Sequence, residues 1–242
     1  MNPFLRSLIA FCLGATLLHA AFAQEAVIRK NIAERLPAFP KIDEISKTPI
    51  PGLYELRIGT DLFYSDERGD HVIEGHLIET RTQTDLTTAR IDKLTAIDFA
   101  SLPLKDAIVW KQGTGARKLV VFADPNCGYC KKFEKEMQQA KDVTAYTFLN
   151  PILGGDSPEK SRDIWCAKDN GAVWRDWMIK GTAPARSAPQ CDTAALQRNV
   201  TMAKKFRING TPALVFEDGK RIPGAMAPEQ VEKQLVLSRA KG

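Results

Sequence analysis

Histidine is almost missing from this chain, with three residues in 242, and cysteine is sparse at five. A zinc centre wants four thiolate or imidazole ligands at close spacing, such as two C-x-x-C pairs or one pair with histidines nearby. Only one C-x-x-C is present, Cys127 to Cys130, and His71 and His76 lie well upstream of it. No metal is expected, and no motif calls for a cofactor. Long apolar runs are missing too. The longest, Leu8 to Leu18, has about eleven residues, short of the roughly twenty that span a bilayer. It follows Arg6 and precedes Ala21-Phe22-Ala23, the three-part pattern of a secretory signal peptide over residues 1–23. An uncleaved tether is the alternative, and either reading exports the rest of the chain. Blocks of one charge are absent as well. The 34 Lys and Arg against 29 Asp and Glu give +5, spread along the sequence, with no arginine-aromatic interleaving. That excludes nucleic acid as an expected partner.

Cys12 falls inside the signal, leaving Cys127, Cys130, Cys166 and Cys191. Four cysteines in an exported chain point to disulfide chemistry, and their spacing separates two unlike pairs. Cys166 and Cys191 flank a helical stretch. The expected role is a structural disulfide worth roughly 3 to 4 kcal/mol by chain entropy, with a second redox pair as the alternative.

The pattern along the chain divides it in three. Residues 24–84 begin with a helix on which Val27, Ile28, Ile32 and Leu36 share a face. Strand-like runs follow at Leu53–Ile58, Leu62–Ser65 and Val72–Thr80, separated by turn-forming loops. A segment of about sixty residues without cysteine has little core of its own, so it is read as a small antiparallel-sheet dimerisation domain, with packing on the neighbouring domain of the same chain as the alternative. Residues 85–104 form a linker helix with Asp85 as N-cap and Ile91, Leu94 and Ile97 on one face. Residues 105–242 alternate α and β. Strands are predicted at Ala107–Lys111 and Lys118–Ala123, joined by a Gly113-Thr114-Gly115 turn, then a helix from Cys127 to Ala140 and a strand at Thr144–Leu149. Helices follow, capped by Ser157 and by Asp192 or Thr193, then a hairpin around Asp218-Gly219 and a last helix after Pro228. The fold class is therefore mixed α+β and α/β: a thioredoxin plan with a helical insertion behind the small sheet. Trp165, Trp174 and Trp177 are expected in its core.

The C-x-x-C sits between a strand of buried type, Leu119 to Ala123, and a helical sequence starting at Lys131. A cysteine on that turn meets unpaired backbone N–H groups and the positive end of the helix dipole, both of which favour thiolate. Cys127 is thus the expected nucleophile, and Cys130, one turn deeper, resolves its mixed disulfides. Gly210-Thr211-Pro212-Ala213, just before a strand, suits a cis-proline whose Thr211 backbone pairs with bound peptide; an ordinary trans turn is the alternative.

These residues resemble a known family. Phe122-Ala-Asp-Pro-Asn-Cys127-Gly-Tyr-Cys130-Lys, Leu153-Gly-Gly-Asp-Ser157, Ile164-Trp-Cys166-Ala-Lys-Asp169, Gly210-Thr-Pro-Ala213 and Ile222-Pro-Gly224 are similar to the DsbC family of periplasmic protein disulfide isomerases. The resemblance implies a V-shaped homodimer joined through its amino-terminal domains, whose uncharged cleft holds misfolded, disulfide-containing substrates. It implies reduction of Cys127 and Cys130 by a DsbD-type membrane reductase, a cis Pro212 and pairing of Cys166 with Cys191. The expected substrate contacts are Thr211, Pro212, Gly128 and Tyr129. Three rivals remain: a DsbG-type reductase, which usually has Pro-Tyr where Gly128-Tyr129 stands here, an oxidase, and a holdase without thiol chemistry.

Overall fold

The computed structural model describes residues 23–239. The expected signal peptide, with Cys12, lies outside them apart from Ala23. Two compact units meet between Leu94 and Thr95, so the stretch expected as a linker, 85–104, is shared between them.

In the first unit, residues 23–35 form helix α1. An antiparallel meander follows, of β1 (Glu44–Lys47), β2 (Leu53–Ile58), β3 (Asp61–Asp66) and β4 (Val72–Ile73). Ile28 and Ile32 of α1 are buried with Ile42, Ile45 and Leu56. The wider face expected on α1 narrows to this i, i+4 pair. Val27 and Leu36 are exposed, the first because it sits about 100° round the helix from Ile28, the second because it lies past the last helical residue. The run predicted as one strand from Val72 to Thr80 breaks in two. β4 ends at Ile73, the chain bends at Gly75, and β5 (Ile78–Glu79) pairs instead with β6 (Thr84–Asp85). The break follows from ties to the next helix: His76 Nδ1 lies 2.6 Å from Asp85 Oδ2, and the Leu77 amide donates to Thr87 Oγ1 at 2.8 Å. Helix α2 (Leu86–Thr95) is capped by Asp85, whose Oδ1 accepts the Thr88 amide. Of the expected apolar stripe, Ile91 and Leu94 are half-buried and Ile97, past the helix end, is buried, and polar contacts add to it. Thr87 is buried and hydrogen-bonded to Tyr64, and Arg90 pairs with Glu44 and Glu55.

The second unit is a five-stranded sheet made of β7 (Ile108–Gln112), β8 (Arg117–Ala123), β9 (Val143–Leu149), β10 (Ala213–Phe216) and β11 (Arg221–Pro223), in the order β11-β10-β8-β9-β7. β8 and β9 run parallel, connected by α3 (Gly128–Glu136) and a 3-10 turn (Met137–Gln139); the other pairings are antiparallel. Both faces of β8 are buried. Leu119, Val121 and Ala123 enter one core with Phe133, Trp174 and Leu235, and Val120 and Phe122 enter the other with Phe148, Val215 and Ile97, as the two-residue period of a strand requires. That double burial places β8 in the middle of the sheet. β7, with Val109 outward, takes an edge beside β9. The Gly113-Thr114-Gly115 turn thus carries the chain past β9 instead of closing a hairpin. Thr114 N donates to Asp142 Oδ1 at 2.8 Å. Gly113 has φ +62°, and a Cβ there would press on the same Asp142 carboxylate, so glycine is favoured by the left-handed backbone.

Between β9 and β10 lies the insertion: α4 (Ser157–Trp165), α5 (Asn170–Arg175) running into a π-helical turn (Asp176–Lys180), and α6 (Ala194–Lys205). Cys166, at the end of α4, is bonded to Cys191 with a Cα–Cα distance of 6.0 Å. Ser157 is the first residue of α4 and not its N-cap, because its hydroxyl is turned to Asp124. Thr193 is the N-cap of α6 and makes no side-chain cap bond; Asp192 Oδ1, one residue earlier, accepts the Ala194 amide at 2.9 Å. Helix α7 (Pro228–Arg239) closes the unit and buries Val231 and Leu235.

Candidate active site

β8 ends in a four-residue turn, Asp124-Pro125-Asn126-Cys127, that delivers Cys127 to the N-cap of α3. There the Cys130 amide points at Cys127 Sγ from 3.4 Å, the orientation in which an orphan helix N–H meets an N-cap acceptor. Across the turn, the Thr211–Pro212 peptide bond is cis, and the Cys127 thiol donates to the Thr211 carbonyl at 3.1 Å. Pro212 leads directly into β10, whose Ala213 is registered against Phe122 of β8. Adjacent central strands therefore set the separation of Cys127 and Thr211. Gly128 and Tyr129 face solvent, Tyr129 with 71% exposure.

Both thiols are free and buried. Cys130 is 1% exposed, and burial pushes its thiol well above the ordinary cysteine range, reinforced by the neighbouring Cys127 sulfur.

The turn is held by Asp124, a fully buried carboxylate that sequence reasoning did not single out. Its Oδ1 accepts the Asn126 amide at 2.7 Å and the Ser157 hydroxyl at 2.8 Å, while Oδ2 accepts the Leu153 amide at 3.0 Å. A buried carboxylate with three donors is satisfied, and here it staples the active-site turn to the loop before α4. An acid closing an otherwise apolar strand, three residues before the first cysteine, was the signal available. Trp177, expected only as core, reaches the site: its indole N–H donates to the Pro125 carbonyl at 2.6 Å. Trp174 is core as expected, and its N–H donates to the buried Glu134 at 2.7 Å. Burial raises the Glu134 carboxyl to about 7, while the Trp174 bond works against the shift. Cys166 and Cys191 belong to the insertion and take no part in the Cys127 constellation. Among the described residues no cluster of His, Cys, Asp and Glu is arranged to hold a metal ion.

A C-x-x-C capping a helix, opposite a cis-proline loop on this sheet, defines the class of thioredoxin-like thiol:disulfide oxidoreductases. Residues 104–237 match the thioredoxin-like domain, and residues 19–88 match the N-terminal domain of disulfide bond isomerase proteins. The chain is 40% identical over 212 residues to the probable thiol:disulfide interchange protein DsbC of Bordetella parapertussis, covering 88% of this chain and 74% of that protein. It is 26% identical over 238 residues to DsbC of Escherichia coli, covering 95% of each. A disulfide interchange protein from Neisseria gonorrhoeae superposes with a TM-score of 0.54 at 35% identity, over 57% of this chain and 99% of that one. The chain belongs to the DsbC family of thiol:disulfide interchange proteins.

Proposed function

We propose that the protein is a homodimeric periplasmic disulfide isomerase acting through Cys127. The observation that carries this reading is the pairing of an N-capping Cys127 sulfur, 3.1 Å from the Thr211 carbonyl, with a Cys130 thiol that burial keeps protonated. Cys127 as thiolate attacks one sulfur of a non-native substrate disulfide, forming a mixed disulfide and expelling the other substrate sulfur as thiolate. That freed thiolate attacks a further disulfide of the substrate, and the shuffle ends when a substrate thiolate displaces Cys127. Cys130 provides an exit: it attacks Cys127, releases the substrate as a thiol, and leaves a Cys127–Cys130 disulfide for a DsbD-type membrane reductase to reduce. Thr211 offers backbone to an extended substrate beside Cys127, Pro212 holds that backbone in place, and Gly128 and Tyr129 form the exposed rim.

Exposed apolar surface supports dimerisation: the small first unit leaves Val27, Leu36, Ile50, Ile73 and Ile78 exposed, surface that a second copy would cover. The test is reactivation of a scrambled multi-disulfide protein by wild type beside Cys127→Ala. Recovery with wild type alone is expected; recovery with both would assign the effect to holding unfolded chains, and recovery with neither would assign the protein to reduction of other thiol adducts.

A further inference from the structure

Lys131 follows Cys130 directly, and its amide donates to the Cys127 carbonyl at 3.0 Å, so it stands one helical turn beyond Cys127 on α3. Its Nζ lies 4.0 Å from the centroid of the Trp177 ring, and the Nζ of Lys160, from α4, lies 4.1 Å from the same centroid. Three separate elements thus bring two ammonium groups to one indole. That indole is fixed at the active-site turn, because Trp177 Nε1 donates to Pro125, and Lys160 Nζ donates to Asn126 Oδ1 at 2.6 Å. The two residues before Cys127 therefore anchor the whole arrangement.

The charge here is not balanced. Lys160 pairs with Asp156 at 3.1 Å, but among the described residues Lys131 has no carboxylate within ion-pair distance. Both lysines are only partly exposed, which weakens the screening that water gives. Burial first, then the charges of Lys160 and Lys135, hold the Lys131 ammonium below the ordinary lysine range, with Asp156 opposing them. Cation–π attraction to the ring offsets part of that repulsion. An anion brought between the ammonium groups would offset the rest.

We infer that Lys131 and Lys160, gathered on the Trp177 ring beside the active-site turn, form a cationic subsite that favours substrate cysteines flanked by aspartate or glutamate. This rests on exchange through Cys127. Lys131 stands one helical turn, about 5.4 Å, beyond Cys127, and a substrate strand with its sulfur on Cys127 advances about 3.3 Å per residue, so the carboxylate matched to the pair on this spacing is one or two positions from the reacting cysteine.

The experiment uses cysteine peptides activated as mixed disulfides with neutral thiopyridine, carrying Glu, Gln or Lys beside the cysteine. Cys127 thiolate attacks the peptide sulfur, forming the Cys127–peptide disulfide and expelling thiopyridone, whose absorbance reports the rate; Cys130 then displaces the peptide as a thiol. With the exported protein at low salt, the Glu peptide should react roughly five- to tenfold faster than the Lys peptide, as an exposed-to-half-buried charge pair allows. The ratio should fall to within about twofold in Lys131→Gln and at high salt, and invert in Lys131→Glu. Continued reaction of the Gln peptide shows that each variant is folded. Equal rates for all three peptides with wild type, or a ratio that survives Lys131→Gln and Lys160→Gln together, would overturn the subsite while leaving exchange intact. Release from none of the peptides by wild type would overturn the exchange reading and the subsite with it.

Discussion

Glu134 carries a carboxyl group that the fold encloses, 3% exposed, with its acid constant moved by burial from 4.5 to about 7. The folded chain therefore holds this proton more tightly than the unfolded chain does. Stability linked to Glu134 is whole below about pH 4.5, erodes as pH rises, and is gone above about pH 7. At about 1.4 kcal/mol per pKa unit, the full loss is on the order of 3 kcal/mol. Urea unfolding of wild type and Glu134→Gln across this window is expected to show the variant gaining that much between acid and neutral pH. A difference that stays flat would mean that Glu134 is not held in its neutral form by the fold. Cys127 and Cys130 were legible in the sequence because their three-residue spacing on a strand-to-helix boundary is local. Glu134 and Asp124 were not legible, because a carboxylate is normally a surface residue and its burial depends on distant donors: Trp174 for the first, Ser157 and Leu153 for the second.

The insertion shows how elements are kept in place. The Cys166–Cys191 bond spans a sequence separation of 25 residues and encloses α5 and the π-helical turn, which bury Trp174 and Met178 and bring Trp177 to the active-site turn. Replacing both cysteines by alanine should cost roughly 3 kcal/mol in unfolding free energy. Thermal unfolding followed by tryptophan fluorescence would measure it; an unchanged midpoint would show that packing around Trp174 and Met178 alone fixes the insertion. Most elements were legible from period and caps: β8 as an unbroken apolar run, α3 after the cysteine turn, α6 after Asp192. Strand neighbours were not. The Gly113-Thr114-Gly115 turn looks like a link between adjacent strands, yet β9 lies between β7 and β8, since β8 needs cover on both faces and both edges. Nor does helical spacing tell that Trp177 contacts Pro125.

For the molecule as a whole, self-association is the property most open to test. β4 is an edge of the first unit's sheet, and Ile73 on it is 51% exposed. Ile73→Asp should shift the sedimenting species from dimer to monomer and abolish reactivation of scrambled substrates, while Cys127 keeps its rate with a small disulfide. A variant that stays dimeric would move the interface elsewhere. A monomer that still isomerises would separate dimerisation from function.

The sequence by itself pointed to a thioredoxin-like domain behind a small sheet domain and to Cys127 and Cys130 as the candidate pair, because each is written in local composition, periodicity and spacing. Only the tertiary structure decided which charges are buried, which indole supports the active-site turn, and which strands are neighbours. Those features depend on side chains from α3, α4, the π-helical turn and β8 meeting in space, and the free energy of a buried or paired charge is fixed by that meeting rather than by its place in the chain.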